Sequence, residues 1–368
     1  MIALRVRRAM LRNCLLTGWI VLVACASGAW ADKLVHVAGG GTIGHGIPAA
    51  SAKMTSPFGV DFDREGTMFI VELEGGHVHR VDTQGLFTTI GGTGAMGDSG
   101  DGGPAGDAVF HSMHTLAIAP DGVLYIADTL NHRVRKLEPR TGKVDAFAGT
   151  GAKGYAGDGG PAKEAQFNGV YCVAFTPDYK TLIVTDLENK RIRGVDMRTG
   201  IVHLIAGNGQ KGVPPDGADA AASPLVDPRA AAADRDGNVY VLERGGHALR
   251  VVDPRGKIRT VVGTGMPGGT GDGGPALQAT LRGPKHLCLD VDGNVLIADT
   301  DNHLIRRYLP ATGRIERVAG TGKQGTAGLD GPPEQAELFH PHGVCFDSAG
   351  TLFIVDTGNN RILKRVRE

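Results

Sequence analysis

The chain has little of what most functional classes need. Aromatic side chains make up 5% of its 368 residues, and both tryptophans, Trp19 and Trp30, lie within the first 31 positions. Neither sign of charge prevails, with 39 basic side chains against 39 acidic ones. That balance is a composite of two parts. Residues 1–31 carry Arg5, Arg7, Arg8 and Arg12 and no acid, which leaves 35 basic against 39 acidic side chains beyond them. A mildly acidic body lacks the basic face that phosphate neutralisation requires, so no nucleic acid is expected as a partner. Cysteine is sparse too. Of five, only Cys172, Cys288 and Cys345 lie beyond residue 31, an odd number without a framework spacing. A disulfide scaffold is therefore excluded, and buried thiols in strands are expected. No Ser-His-Asp order, paired-carboxylate pattern, nucleotide loop or Cys-x-x-Cys spacing is present.

What the chain has in excess is glycine. Its 57 glycines are about twice the usual share. Without a Gly-X-Y period they do not make collagen, and a hydrophobic content of 41% excludes a wholly disordered chain. A folded, turn-rich protein of one large domain or two remains.

Residues 1–31 read as a signal peptide. A basic start leads into the apolar run Leu15–Ala24, which falls short of the roughly 20 residues of a membrane span. Ala29-Trp30-Ala31 then forms an A-x-A cleavage site before Asp32. The expected location is secreted or periplasmic. The alternative is a lipoprotein, since Leu22-Val23-Ala24-Cys25 resembles a lipobox, and Cys25 is then the one lipid anchor to a membrane. Arg7-Arg8 also resembles a twin-arginine signal.

Self-similarity determines the architecture. A short apolar strand, a turn such as Asp121-Gly122, a second strand ending in an acid, a polar turn and a basic-apolar strand recur together. The acidic landmark falls at Glu72, Asp128, Asp186, Glu243, Asp299 and Asp356, at intervals of 56, 58, 57, 56 and 57 residues. Each copy holds about four strand-length runs with half-buried alternation. Four antiparallel strands repeated radially make a propeller blade, so the expectation is an all-β, six-bladed β-propeller over residues 32–368. The last copy stops after its third strand, Arg361–Val366, and Leu34–Gly39 has the character of the missing fourth. That N-terminal strand is expected to complete the last blade, closing the ring and removing an exposed edge.

Much of the glycine lies in inter-blade loops such as Gly149–Ala162, echoed at Gly92–Ala105 and Gly263–Ala276. Pro at the first helical position suits a short helical turn ending in Phe110, Phe167, Leu281 or Phe339. Asp101, Asp158, Asp272 and Asp330 are expected to bond nearby backbone N–H groups in these turns rather than calcium.

The phrases Asp128-Thr129-Leu130-Asn131-His132-Arg133 and Asp299-Thr300-Asp301-Asn302-His303-Leu304 resemble the NHL repeat, named for Asn-His-Leu. Blades one and four depart from it, with Glu72…Gly75-Gly76-His77 and Glu243…Gly246-His247. The resemblance implies a six-bladed propeller. It leaves function open, because NHL propellers include protein-binding modules, sensor domains and enzymes. A residue type that recurs once per blade is a structural device, so chemistry is sought where the blades differ.

Aligned backwards from the second strand, the copies place Phe58, His114, Tyr171, Arg229, Lys285 and His342 at one equivalent position, just before the inner strand. In a propeller that position rings the mouth of the central channel on the face of the inter-blade loops. His111, His286 and His340 stand within a few residues of it. Such a ring is electropositive and favours an anionic ligand, with arginine as a fork and lysine as a point charge. The first expectation is an exported binding module for a small anionic molecule, a peptide or a glycan, with all six residues lining the site. The alternative is a metal-dependent lyase or hydrolase. A resemblance to the peptidyl-hydroxyglycine amidating lyase implies His114, Tyr171 and His342 as catalytic residues, with His114 and His342 on a divalent metal, zinc or, in a lactonase-like version, calcium. Blade four departs from that branch, since Arg229 stands where a third histidine belongs.

Overall fold

Each copy of the repeat forms four antiparallel strands, and six such sheets are present among the described residues of the computed structural model, which are 32–42, 44 and 46–367. The signal-peptide and lipobox readings, including Cys25, lie outside the described residues. No helix among the described residues is long and apolar enough to cross a membrane. The sheets are arranged as a six-bladed β-propeller. Blades one and four each gain a two-residue fifth strand from the preceding loop, Ile47–Pro48 and Ala218–Asp219. The inner strands are Pro57–Phe62, Met113–Ile118, Val170–Phe175, Pro228–Ala233, His286–Leu289 and Gly343–Phe346.

The ring closes as the truncated last copy predicts. Lys33–Gly39 pairs antiparallel with Arg361–Val366, from Lys33 opposite Val366 to Gly39 opposite Arg361. Asp32 adds an ion pair, with Arg365 Nε donating to Oδ2 at 2.7 Å. Leu34 is buried with Leu296, Ile305, Leu338 and Leu363, so the closing strand also cements blade five to blade six. There is no single central core. Apolar side chains fill the wedges between neighbouring sheets in six clusters. Phe110, Phe167, Leu281 and Leu338 each plug one wedge and are fully buried, a contribution of about 1.5–3 kcal/mol apiece.

The loops differ from expectation in three respects. Pro104, Pro161 and Pro275 precede the 3-10 turns Ala105–Asp107, Ala162–Glu164 and Ala276–Gln278 rather than beginning them; only Pro333 takes the first position. The buried residue after the last turn is Leu338 rather than Phe339, because only Leu338 keeps the register of Phe110. Finally, the loop aspartates do not serve mainly to cap turns. Asp101, Asp158 and Asp272 accept hydrogen bonds from the buried guanidinium groups of Arg135, Arg193 and Arg306. Asp330 is one residue out of phase; Leu329 holds the equivalent place and packs in the same cluster as Leu363, where an Arg would otherwise be. A buried Arg–Asp pair in three blades is thus an apolar Leu–Leu pair in blade six. Both halves change together because an unpaired charge in the wedge is costly.

The NHL-like turn is structural throughout. Asn131 Nδ2 bridges Asp128 Oδ2 at 2.9 Å and the Gly97 carbonyl at 2.7 Å, tying the preceding loop to the acidic landmark. Asn189, Asn302 and Asn359 do the same in their blades. His132 adopts a left-handed backbone with φ 54°, and its Nδ1 accepts the Gly169 amide of the next blade at 3.0 Å. His303 accepts the His340 amide likewise.

Candidate functional site

Each ring residue owes its direction to a β-bulge. The pairing of inner and second strands slips between Pro57 and Gly59, Met113 and Leu116, Val170 and Cys172, and Pro228 and Ala230. In blade five both Lys285 and His286 oppose Ala298, and in blade six both His342 and Gly343 oppose Val355. Two residues against one turn the extra side chain out of the pleat, here towards the axis. A left-handed residue two positions earlier sets up the bulge in five blades: Ser56, Ser112, Gly169, Gly283 and His340.

The structure brings all six predicted residues together, but as a packed plug rather than an open mouth. The Phe58 ring lies 4.6 Å from that of His114, 5.7 Å from Tyr171 and 4.4 Å from His342. His114 and Tyr171 stand 4.1 Å apart, and the Arg229 guanidinium lies 4.7 Å over the Tyr171 ring. Phe58, Tyr171 and His342 are buried, whereas His114, Arg229 and Lys285 keep partial exposure. Lys285 Nζ donates to His342 Nε2 at 2.7 Å. That leaves the His342 proton on Nδ1, which is buried without a partner. His114 Nδ1 contacts Ser112 O and Thr129 Oγ1, and because Thr129 donates onward to Val170 O, the His114 proton resides on Nδ1.

These contacts carry charge as well as shape. Burial pulls Lys285 down to about 8, with Arg244 and Arg229 adding repulsion and Asp301 opposing it. Burial likewise lowers His114 to about 3, assisted by Arg229 and Lys285, so the imidazole is neutral. His342 is held neutral by burial and by Lys285. A carboxylate borders the cations: Arg229 pairs with Asp227 at 3.2 Å. Arg244, which sequence alignment passed over because it follows the landmark acid, belongs to the same group of cations. Phe58 packs against both His114 and His342, and Lys285 donates to Nε2 of the latter.

Beyond the plug the channel widens into a cavity of about 780 Å³, lined by all six inner strands and opening on the opposite face. Its walls mix apolar side chains such as Leu116, Val173 and Phe346 with polar ones such as Thr115 and His286, and its rim is acidic, with Asp234, Asp236, Asp290 and Asp292 against Arg235 and Arg259. Asp61 lies within it, accepting the Phe62 and Ile118 amides at 2.8 and 2.9 Å. Burial raises its carboxyl to about 6 against those two hydrogen bonds. His286 faces this cavity, not the ring, and its Nδ1 accepts the Val344 amide. The alternation of the inner strands offered no sign of this hollow, because a strand start and a strand end look alike in sequence. The three cysteines are free thiols on inner strands, two buried and Cys288 half-buried, as expected.

A family model described as the NHL repeat matches residues 281–308 and 340–364, the inner strands and turns of blades five and six. Four further blades complete the ring around that match, two of them, blades two and three, with the same Asn-anchored turn. The chain is an NHL-repeat propeller. It is 28% identical over 307 residues to NHL repeat-containing protein 2 of Gallus gallus, covering 74% of this chain and 42% of that protein. It is also 28% identical over 268 residues to protein SUPPRESSOR OF QUENCHING 1, chloroplastic, of Arabidopsis thaliana, covering 70% of this chain and 25% of the relative. The NHL-repeat propeller thus spans less than half the length of these relatives. Among solved structures, it resembles an auxiliary nutrient binding protein of Bacteroides thetaiotaomicron, with a TM-score of 0.66 at 15% identity over 92% of this chain and 76% of that one. A streptogramin B lyase shares the fold with a TM-score of 0.53 at 14% identity, over 92% of this chain and 99% of that one.

Proposed function

We propose that this NHL-repeat propeller is an exported binding module whose ligand, a small molecule, peptide or glycan, carries an anionic group. The group docks at the loop-face end of the axis. The observation behind this reading is the surplus of positive charge there. Arg229, Arg244 and Lys285 face one another against Asp227 and Asp301; burial brings Lys285 down to about 8, and the two arginines add to that shift. An anion relieves that repulsion and finds a fork on Arg229 and a point charge on Lys285. Likeness in fold to an auxiliary nutrient binding protein is compatible with a binding role. For export the support is the leader, whose A-x-A site ends just before Asp32, the residue that precedes the closing strand Lys33–Gly39.

The test is calorimetry with a panel of di- and tricarboxylates, phosphate and acidic peptides. A ligand present at 100 times its Kd stabilises by about 2.7 kcal/mol. Lys285→Met leaves the protein folded, with the relieved repulsion offsetting the hydrogen bond lost at His342 Nε2, and abolishes the response. No Tm change with any anion, or an undiminished response in Lys285→Met, overturns the assignment. Export predicts a mature N-terminus at Asp32.

The axial cavity favours a second reading. Its volume suits a small-molecule ligand, and its acidic rim selects a cationic or polyhydroxylated one. The same calorimetry with polyamines and neutral sugars separates the two ends of the channel. The metal-dependent lyase alternative has less behind it, since Phe58 packs on both histidines, Lys285 donates to His342 Nε2 and Arg229 stands in place of a third histidine.

A further inference from the structure

Five of the six blades place a guanidinium against the acidic landmark. Asp128 has Arg133 and Arg135 at 3.8 Å, Asp186 has Arg193 at 3.5 Å and Asp299 has Arg306 at 3.4 Å. Glu243 has Arg250 at 2.8 Å, and Asp356 has Arg361 at 2.7 Å. Blade one alone lacks one. The positions of Arg133 and Arg135 are taken there by His77 and His79, and the position of Asn131 by Gly75. Glu72 nevertheless remains buried, with the two imidazoles beside its carboxylate.

The three side chains converge. His77 Nδ1 lies 3.1 Å from Glu72 Oε2, and His79 Nε2 lies 3.2 Å from Oε1. All three ligand atoms fall within 4.8 Å of one another. Tetrahedral zinc with bonds of about 2.0–2.1 Å sets its ligand atoms about 3.3 Å apart. Each imidazole already stands at about that distance from one oxygen of the carboxylate, His77 from Oε2 and His79 from Oε1, so a small rotation of the carboxyl brings one oxygen towards both. The second observation is the state of His79. Its side chain is 4% exposed, Nδ1 is held by Thr89 Oγ1 at 3.1 Å, and Nε2 is buried with no hydrogen-bond partner while facing the carboxylate. An imidazole oriented through one nitrogen, with the other bare and aimed at a carboxylate, is how metal ligands are held. Gly75 keeps the space beside Glu72 clear, since a Cβ there would fall on Oε2. His77 is 34% exposed and gives an ion a route in from solvent.

We propose that Glu72, His77 and His79 form a binding site for a divalent transition-metal cation, zinc foremost, which supplies the positive charge that arginine supplies in the other blades. Two imidazole nitrogens and one carboxylate oxygen are a zinc donor set, and three protein ligands leave a fourth position for water or an external anion. The site lies inside blade one and is separate from the axial ring.

Untagged protein is loaded with zinc chloride, desalted and analysed for metal, with cobalt substitution as a spectroscopic check. About one equivalent of zinc is expected, together with a tetrahedral cobalt spectrum and a Tm that rises on loading and falls with chelator. His79→Arg restores the guanidinium of the other blades, so it folds without metal, retains less than about a tenth of an equivalent and loses the Tm response. His77→Ala, at the exposed ligand, gives a second variant with the same loss. Wild-type protein holding less than a tenth of an equivalent identifies the cluster as a Glu–His ion pair only and overturns the site. Full occupancy in both variants places the metal elsewhere and overturns it equally.

Discussion

Replacing Arg306 with methionine tests the physical account of the blade wedges most directly. The guanidinium is fully buried and donates Nε to Asp272 Oδ1 at 2.8 Å, Nη1 to Thr280 O at 2.6 Å and Nη2 to Thr270 O at 2.9 Å. It also lies 3.4 Å from Asp299 Oδ2. Methionine fills much of the volume and removes every donor. What remains is a fully buried Asp299 without its cation, so the expected loss is the about 3–5 kcal/mol of a broken buried pair. For a domain of this size, at about 2 °C per kcal/mol, calorimetry should find Tm lower by about 6–10 °C. The loss should depend on pH with a definite sign. Burial raises Asp299 to about 6, although Asn302, the Arg282 amide and Arg306 favour its ionised form. Raised carboxyls bind protons in the folded state, so wild-type stability from this group falls as pH rises from about 4 to about 6 and is level above. Without Arg306 the folded-state value moves higher and the fall continues past pH 6. The deficit of Arg306→Met is therefore larger at pH 8 than at pH 5. A loss below about 1 kcal/mol, or one equal at both pH values, would refute the view that the arginine compensates a buried charge.

Two further substitutions probe the axis. Asp61→Asn removes a carboxyl whose raised value makes it destabilising above pH 6. The Tm of the variant relative to wild type should climb between pH 4 and pH 6 and then level off; a flat difference across that range refutes the assignment. Gly59→Ala places a Cβ 2.7 Å from Thr115 Cα and 2.8 Å from His114 O, backbone of the adjacent inner strand. It should cost about 1–3 kcal/mol in denaturant unfolding. Gly106→Ala meets nothing within 4 Å and should stay within about 0.5 kcal/mol, so equal effects of the two would show that close approach is not what glycine serves at position 59.

The period of the acidic landmark was enough to reach the blade, the number of blades and the closing strand, because each is a local pattern repeated at a fixed interval. Phe58, His114, Tyr171, Arg229, Lys285 and His342 were legible as one ring for the same reason. Their packing was not. Whether a ring of six unlike side chains stays open depends on rotamers and volumes across the axis, and the phenylalanine that seemed the least chemical of the six is what fills it. The Arg–Asp clamps were missed because Arg135 and Asp101 lie on different elements, and nothing local distinguishes an aspartate that caps a turn from one that receives a guanidinium. Leu329 and Leu363 show the same coupling by its absence.

On its own the sequence determined architecture: glycine-rich loops at a regular spacing, alternating strands between them, and a first strand with the character of a blade's fourth, which pairs with Arg361–Val366. Tertiary structure decided what meets across blades. It gave the packed plug with its cations, the acid-rimmed cavity beyond it and the imidazole pair over Glu72. Strand propensity and turn chemistry act over a few residues and are written along the chain. Charge compensation and close packing act between residues tens to hundreds of positions apart, and only the folded ring brings those together.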